Sequence, residues 1–247
     1  EAMQLLDRAQ AWLARLPADA RGRARAVDLL LRRERLGETL GLRELQQRLI
    51  DEMLALLQPH GDQAQLAEVY LRQGDLHTLL RRFEAADTAL ERALRLRRAL
   101  DDPVGVRHVL LSIGLLRWHE GRDEDALPYI EEALAIDRAR GDKLAMLGEL
   151  SNLGYVLKGL GRYERAQESL MEGMDLSERI LAGDAGASVK SDVAVKQHYL
   201  IHNLANVYRE LGESERALDL MQRATERSAG ERLPIQLSYH FTSIAHI

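Results

Sequence analysis

A pattern of small residues that recurs four times along the chain constrains its fold more than any other feature. Four six-residue segments share a turn residue at the first position and Ala at the last: Arg81–Ala86, Gly121–Ala126, Gly161–Ala166 and Gly212–Ala217. Seven residues after each segment stands another small residue: Ala93, Ala133, Gly173 and Ala224. Seven residues before each segment stands a third: Gly74, Gly114, Gly154 and Ala205. These columns predict one supersecondary unit built four times.

The columns indicate a pair of antiparallel helices in each unit. Small residues let two helix backbones approach closely, and the large apolar residues between them fill the remaining space. Glycine at the turn can adopt the left-handed conformation that ends a first helix. Since each pair leaves an apolar face uncovered, consecutive units are expected to stack on one another.

The composition excludes several classes of protein. The chain lacks cysteine, which rules out disulfides and thiolate zinc sites and favours a reducing, cytoplasmic location. Its net charge of −5 comes from dispersed charges, so we expect no nucleic-acid partner. Apolar runs stay well short of the roughly 20 residues that span a membrane, so no membrane partner is expected either. The five prolines fall near predicted helix ends or starts.

The columns resemble the tetratricopeptide repeat, whose period is about 34 residues. Its frame gives four units at 67–100, 107–140, 147–180 and 198–231, with a long connector at 181–197. Within the connector we expect Val189 to Tyr199 to extend the following helix backwards. The first three units begin 40 residues apart, a spacing similar to that of kinesin-light-chain repeats and of bacterial signalling proteins. The resemblance implies an all-α fold, a right-handed superhelix (α-solenoid) of antiparallel helix pairs. We also expect degenerate helical repeats over 1–60 and the first helix of a truncated further repeat at 238–247.

Candidate catalytic and metal-binding groups have simpler structural explanations. His198 and His202 stand four residues apart on a predicted helix, but no third metal ligand is evident nearby in the sequence. Lys190 and Ser191 follow two glycines without the spacing of a phosphate-binding loop. We therefore predict that the chain is not an enzyme, has no catalytic or metal-binding residues and needs no cofactor.

The resemblance implies a ligand-binding surface on the inner, concave wall formed by the first helices. The residues at its binding positions are Trp118, His119, Ser151, Asn152, Tyr155, Lys158, His202, Asn203, Asn206, Arg209, Tyr239 and Thr242. Two of them leave alternatives open. The equivalent amides Asn152 and Asn203 would either read the backbone of an extended peptide or bond to a neighbouring helix. Trp118 would either anchor a ligand or fill space between units.

The sequence thus predicts a scaffold or sensor module that binds another protein or an extended peptide segment. Lys158 and Arg209 would favour acidic groups on that partner. The alternative is a small-molecule-sensing domain of a larger bacterial signalling ATPase or transcription regulator. Thirty arginines against four lysines suggest a GC-rich bacterial gene, and the ends of the chain suggest a segment of a longer protein. Apolar helix faces uncovered at those ends would also allow self-association.

Overall fold

The computed structural model describes residues 19–58, 61–183 and 186–231, and every regular element in those ranges is an α-helix. Two compact units divide the chain between Gly121 and Arg122. Unit 1 contains α1 (Ala20–Thr39), α2 (Arg43–Leu57), α3 (Gln63–Leu79), α4 (Phe83–Ala99) and α5 (Pro103–His119). Unit 2 contains α6 (Asp123–Arg140), α7 (Lys143–Gly159), α8 (Tyr163–Ala182), α9 (Ala187–Glu210) and α10 (Ser214–Glu231). The all-helical fold class predicted from the sequence is confirmed.

The turns between paired helices have the predicted left-handed residue. After α7, Gly161 has φ +70° and donates its backbone N–H to the carbonyl of Lys158, while Arg162 donates to that of Leu157. These bonds satisfy carbonyls that the helix end leaves without partners. Arg81 holds the same conformation after α3, with φ 56°, although a side chain makes it costlier there than for glycine.

Small residues bring the paired helices together as predicted. In unit 1, a Cβ atom on Gly74 of α3 would lie 2.5 Å from the Leu90 side chain of α4. In unit 2, a Cβ atom on Gly154 of α7 would lie 2.4 Å from the Leu170 side chain of α8. The large side chains opposite the glycines are fully buried. The small residues of the columns therefore contact the apolar cores directly.

Helix α9 is longer than its repeat frame requires, and its extra turns build part of the candidate site. The predicted connector 181–197 is helical from Ala187 onward, as well as at Leu181 and Ala182. Val193 is fully buried, and Gln197 donates its side-chain amide to the Ser177 hydroxyl on α8 at 3.0 Å. These contacts fix the added turns of α9 against α8.

Two further expectations meet different outcomes. Pro128 lies inside α6 rather than at a helix end, so the expectation for the prolines is wrong at this position. The predicted helix over 238–247 lies outside the described residues. Of the helices that the structure describes, none combines the length and apolarity needed to cross a membrane.

Candidate ligand-binding groove

A groove of about 580 Å³ lies between the first helices α7 and α9 of unit 2. Helix α7 contributes Leu147, Gly148, Ser151, Asn152 and Tyr155. Helix α9 contributes Asp192, Val195, Lys196, Tyr199, His202 and Asn203. Residues spaced three and four apart share one face of a helix, so each helix presents a continuous stripe to the groove.

The walls of the groove expose large apolar side chains. Tyr199 is 58% exposed, Val195 44% and Tyr155 40%. These three side chains come from two neighbouring helices and flank one depression, whereas isolated exposed apolar residues are common on any protein surface. The groove can therefore bury the apolar parts of a ligand.

Asn203 forms the floor of the groove rather than a free contact. It is 9% exposed, and its Nδ2 atom donates to the Ser151 hydroxyl at 3.1 Å and to the Ser151 carbonyl at 3.4 Å. The alternative of a bond to a neighbouring helix therefore holds for Asn203. Its repeat equivalent Asn152 is exposed on the groove wall. That the Asn152 amide would bond to the backbone of an extended peptide stays a prediction.

Beyond the groove lining, the predicted residues Lys158, Asn206 and Arg209 lie one or two turns further along α7 and α9. The Lys158 ammonium lies 5.1 Å from the centre of the Tyr155 ring. Asn206 donates its Nδ2 to the His202 carbonyl at 2.9 Å and lies 3.1 Å from Nε2 of the same histidine. Burial lowers the pKa of His202, and the charges of Lys158 and Arg209 lower that pKa further. The uncharged imidazole is thus favoured at neutral pH.

At the opposite end of the groove, Lys196 and Asp192 come from the added turns of α9. The Lys196 ammonium lies close to the backbone of Gly148, where an added Cβ would approach it to 3.2 Å. The predicted site lacks Asp192, Val195 and Lys196 because the repeat frame starts the fourth unit at 198. The signal that could have identified them is the helical spacing of Val193, Gln197 and Leu200, which are all buried.

The predicted residues Trp118 and His119 belong to unit 1, at the end of α5. Both are partly buried, and their ring centroids lie 4.7 Å apart with planes tilted by 59°. The choice between anchor and filler for Trp118 stays open. Tyr239 and Thr242 lie outside the described residues.

Unit 1 carries a charged network on its first helices α1 and α3. Glu68 of α3 bonds to Arg72 at 3.1 Å and to Arg97 of α4 at 2.8 Å, and Arg72 also approaches Glu38 of α1 at 3.5 Å. Asp75 lies one turn beyond Arg72. Burial raises the pKa of Asp75 to about 6, although a hydrogen bond from Ser112 and the charge of Arg72 act to lower it. This carboxyl group is the clearest pH-dependent element of unit 1.

The histidines of the repeat region were considered as metal ligands because His198 and His202 stand four residues apart. No three His, Asp or Glu side chains in the described part of the chain lie in a group that could hold a metal ion. His198 packs beside Tyr199, with 5.8 Å between the ring centroids.

Three family models, each of the tetratricopeptide repeat, match the sequence over residues 64–139, 150–184 and 200–233. Together they cover more than half of the chain. The comparison with curated proteins gives no match.

Solved structures with the same fold include BtubC (BKLC) from P. vanneervenii, with a TM-score of 0.76 and 18% identity over 94% of this chain and 90% of that one. A signal transduction ATPase with numerous domains and a tetratricopeptide repeat sensor, from Pyrococcus horikoshii, has a TM-score of 0.66 and 17% identity over 90% of this chain and 34% of that one. The Rap conjugation gene regulator of plasmid pLS20, in complex with the Phr* peptide, has a TM-score of 0.60 and 15% identity over 84% of this chain and 54% of that one.

At these identities the structural likeness shows the fold alone, and the family models carry the assignment. The resemblance stated from the small-residue columns is confirmed. The chain belongs to the tetratricopeptide repeat family.

Proposed function

We propose that unit 2 binds an extended peptide segment of a partner protein in the groove between α7 and α9. The observation that carries this proposal is the pair of exposed tyrosines, Tyr155 and Tyr199, on opposite walls of one groove. Aromatic side chains at the centre of an interface contribute much of the binding energy because they bury large areas with few rotatable bonds.

The polar groups of the groove suit a peptide that carries acidic groups. Asn152 offers both a donor and an acceptor to a peptide backbone. The cations Lys158, Lys196 and Arg209 outnumber Asp192 along this face, so the ligand would carry compensating negative charge. The Rap regulator bound to its Phr* peptide supports a peptide ligand for a neighbour of the same fold.

A small molecule is the second candidate, because the volume of the groove also falls in the range of small-molecule sites. The ATPase with a repeat sensor is a structural neighbour in which this fold has a sensing role. An experiment can distinguish the two candidates, because only a peptide ligand would contact residues along the full length of the groove. That the chain is cytoplasmic, is not an enzyme and needs no cofactor stays a prediction.

The test selects binders from a library of random peptides displayed on phage and measures their affinity by fluorescence anisotropy. The double variant Tyr155→Ala/Tyr199→Ala should weaken selected peptides about tenfold or more. A matched control, Met171→Ala/Leu218→Ala, removes two exposed side chains from the second helices of the same unit and should leave affinity unchanged. Equal affinity of wild type and the tyrosine variant would reject the groove. The second candidate would be favoured if no peptide is selected and if a small molecule binds wild type but not the tyrosine variant.

A further inference from the structure

Gly148 lies inside α7, where glycine costs about 1 kcal/mol relative to alanine. At Gly154 of the same helix, close packing explains the glycine, because a Cβ atom there would lie 2.4 Å from the Leu170 side chain. No such contact is described at Gly148. Outside its own helix, the one described atom within 4 Å of a Cβ on Gly148 is the Nζ atom of Lys196, at 3.2 Å. The absence of a side chain at Gly148 therefore makes room for the Lys196 ammonium.

Lys196 approaches α7 from α9 as a half-buried cation that lines the groove. Charged groups that are withdrawn from water usually have a partner. In the part of the chain that the structure describes, the Lys196 side chain forms no ion pair and no hydrogen bond. Asp192 stands four residues earlier on α9, a spacing that allows an ion pair, but it is exposed and the two described side chains are not paired. The charge of Lys196 is thus available to a ligand in the groove.

The other two cations of this face already interact within the chain. The Lys158 ammonium lies 5.1 Å from the centre of the Tyr155 ring, which is within the range of a favourable cation–π interaction. Arg209 lies 3.6 Å from the carboxylate of Glu210. Lys196 is therefore the cation of this face whose charge a bound ligand would compensate.

We propose that Lys196 binds a carboxylate of the peptide ligand, either an acidic side chain or the terminal carboxylate, and so determines which peptides the groove accepts. The inference rests on the proposed function and specifies the ligand at that site. An ammonium group and a carboxylate form charge-assisted hydrogen bonds, which are stronger than those between neutral groups. The apolar side chains of Leu147 and Val195 line the groove next in sequence to Gly148 and Lys196. They would shield a bound carboxylate from water and salt more than an open surface does.

The position of Lys196 also predicts the spacing of the residues that the groove recognises. Lys196 and Tyr199 are about 4.5 Å apart along the axis of α9, at 1.5 Å per residue. Side chains on one face of an extended peptide recur every second residue, about 6.7 Å apart. The flexible stem of the lysine can cover the difference. We therefore expect the carboxylate two residues away from an apolar residue that contacts Tyr199.

The proposal is tested by a double-mutant cycle on a peptide selected with wild type, with affinities measured by fluorescence anisotropy. Two further peptides carry an amide in place of the acidic side chain or of the terminal carboxylate. Lys196→Gln should weaken the parent peptide about fivefold or more and should leave one of the amide peptides unaffected. That peptide identifies which carboxylate Lys196 binds. Lys196→Arg keeps the charge and should keep most of the affinity.

A matched control removes a lysine of the same helix away from the groove. Lys190 is exposed on α9 and is not among the residues that line the groove. Lys190→Gln makes the same change in net charge as Lys196→Gln. It should leave the affinity of all three peptides unchanged, since an exposed charge at a distance is largely screened by salt.

Gly148→Ala separates binding from stability. The added Cβ atom would displace the Lys196 ammonium from its position beside α7, so the parent peptide should bind more weakly. The melting temperature should be no lower than that of wild type, because alanine favours helix more than glycine. The variant Gly148→Ala/Lys196→Gln should bind no more weakly than Lys196→Gln alone, since both changes remove the same contact.

The proposal is overturned if Lys196→Gln weakens all three peptides equally or weakens none of them. In that case, a loss of affinity in Tyr155→Ala/Tyr199→Ala would still support the proposed function. If affinity depends on Lys196 and on one carboxylate but not on the tyrosines, the carboxylate site stands and the groove centred on the tyrosines is rejected. A library that yields no binder overturns both, because this inference rests on the proposed function.

Discussion

Asn203 of α9 donates its side-chain amide to the hydroxyl of Ser151 on α7, and this bond joins the two first helices beneath the groove. Both residues are buried, and their bond helps to hold the spacing of the two helices that line the groove. Two polar residues of the predicted binding surface therefore support the groove from below, while Asn152, Tyr155 and Tyr199 line it.

The first prediction concerns this bond. Asn203→Ala should lower the free energy of unfolding by about 1–2 kcal/mol, since it leaves buried polar atoms of Ser151 without their partner. Asn152→Ala changes the equivalent residue in the adjacent repeat, but its exposed side chain should contribute less than about 0.5 kcal/mol. Urea denaturation followed by circular dichroism measures both values. Equal losses for the two variants would contradict the supporting role of Asn203.

A second prediction tests the small-residue columns. A Cβ atom on Gly154 of α7 would lie within 2.9 Å of three side-chain carbons of Leu170, which is fully buried on α8. Gly154→Ala should therefore destabilise the chain by about 1–3 kcal/mol, although alanine favours helix more than glycine. Gly148→Ala, two turns earlier on the same helix, meets only the flexible end of Lys196 and should be neutral or stabilising. Thermal denaturation gives the melting temperature of each variant. A Gly154→Ala variant that melts above wild type would refute the close packing of Gly154 against Leu170.

The third prediction uses Asp75 in unit 1, whose pKa burial raises to about 6 in the folded chain from its ordinary value of 3.8. A carboxyl group with a raised folded pKa stabilises most below its unfolded pKa, and that contribution is lost as the pH rises through about 6. Asp75→Asn should thus increase stability at pH 8, by on the order of 1–3 kcal/mol, and the gain should vanish below about pH 4.

Glu52→Gln is the matched control for Asp75, because it removes one exposed carboxylate of α2 in the same unit. Its effect on the free energy of unfolding should be small at every pH. Chemical denaturation between pH 4 and pH 8 gives both profiles. An Asp75→Asn gain that is constant across this range would show that the carboxyl group of Asp75 does not titrate as described.

The fold was predictable because its determinants are local and repeated. Gly74 and Gly154 precede their turns by seven residues, and each lies against a buried leucine, Leu90 or Leu170, of the next helix. The spacing of small and large residues thus encodes the contact directly. Pro128 was misplaced because a proline inside a helix has no such repeated counterpart in the other units.

The candidate site was predictable only in part, since repeat position fixes the face of a helix but not the burial of each side chain. The repeat frame correctly placed Asn203 and Ser151 on the first helices. Their hydrogen bond depends on the distance between α7 and α9, and the residue pattern of one helix cannot predict that distance. The frame also excluded Lys196, since the added turns of α9 are specific to this unit and are held by the Gln197 contact with Ser177.

The central claim, that a peptide lies in the groove between α7 and α9, is tested most directly by site-specific photo-crosslinking with a selected peptide. The photoreactive amino acid p-benzoylphenylalanine replaces Tyr199 on the groove wall or, in a second protein, exposed Met171 on α8. We expect a crosslinked product from position 199, suppressed by excess unlabelled peptide, and none from position 171. Crosslinking from position 171 without crosslinking from position 199 would contradict the claim.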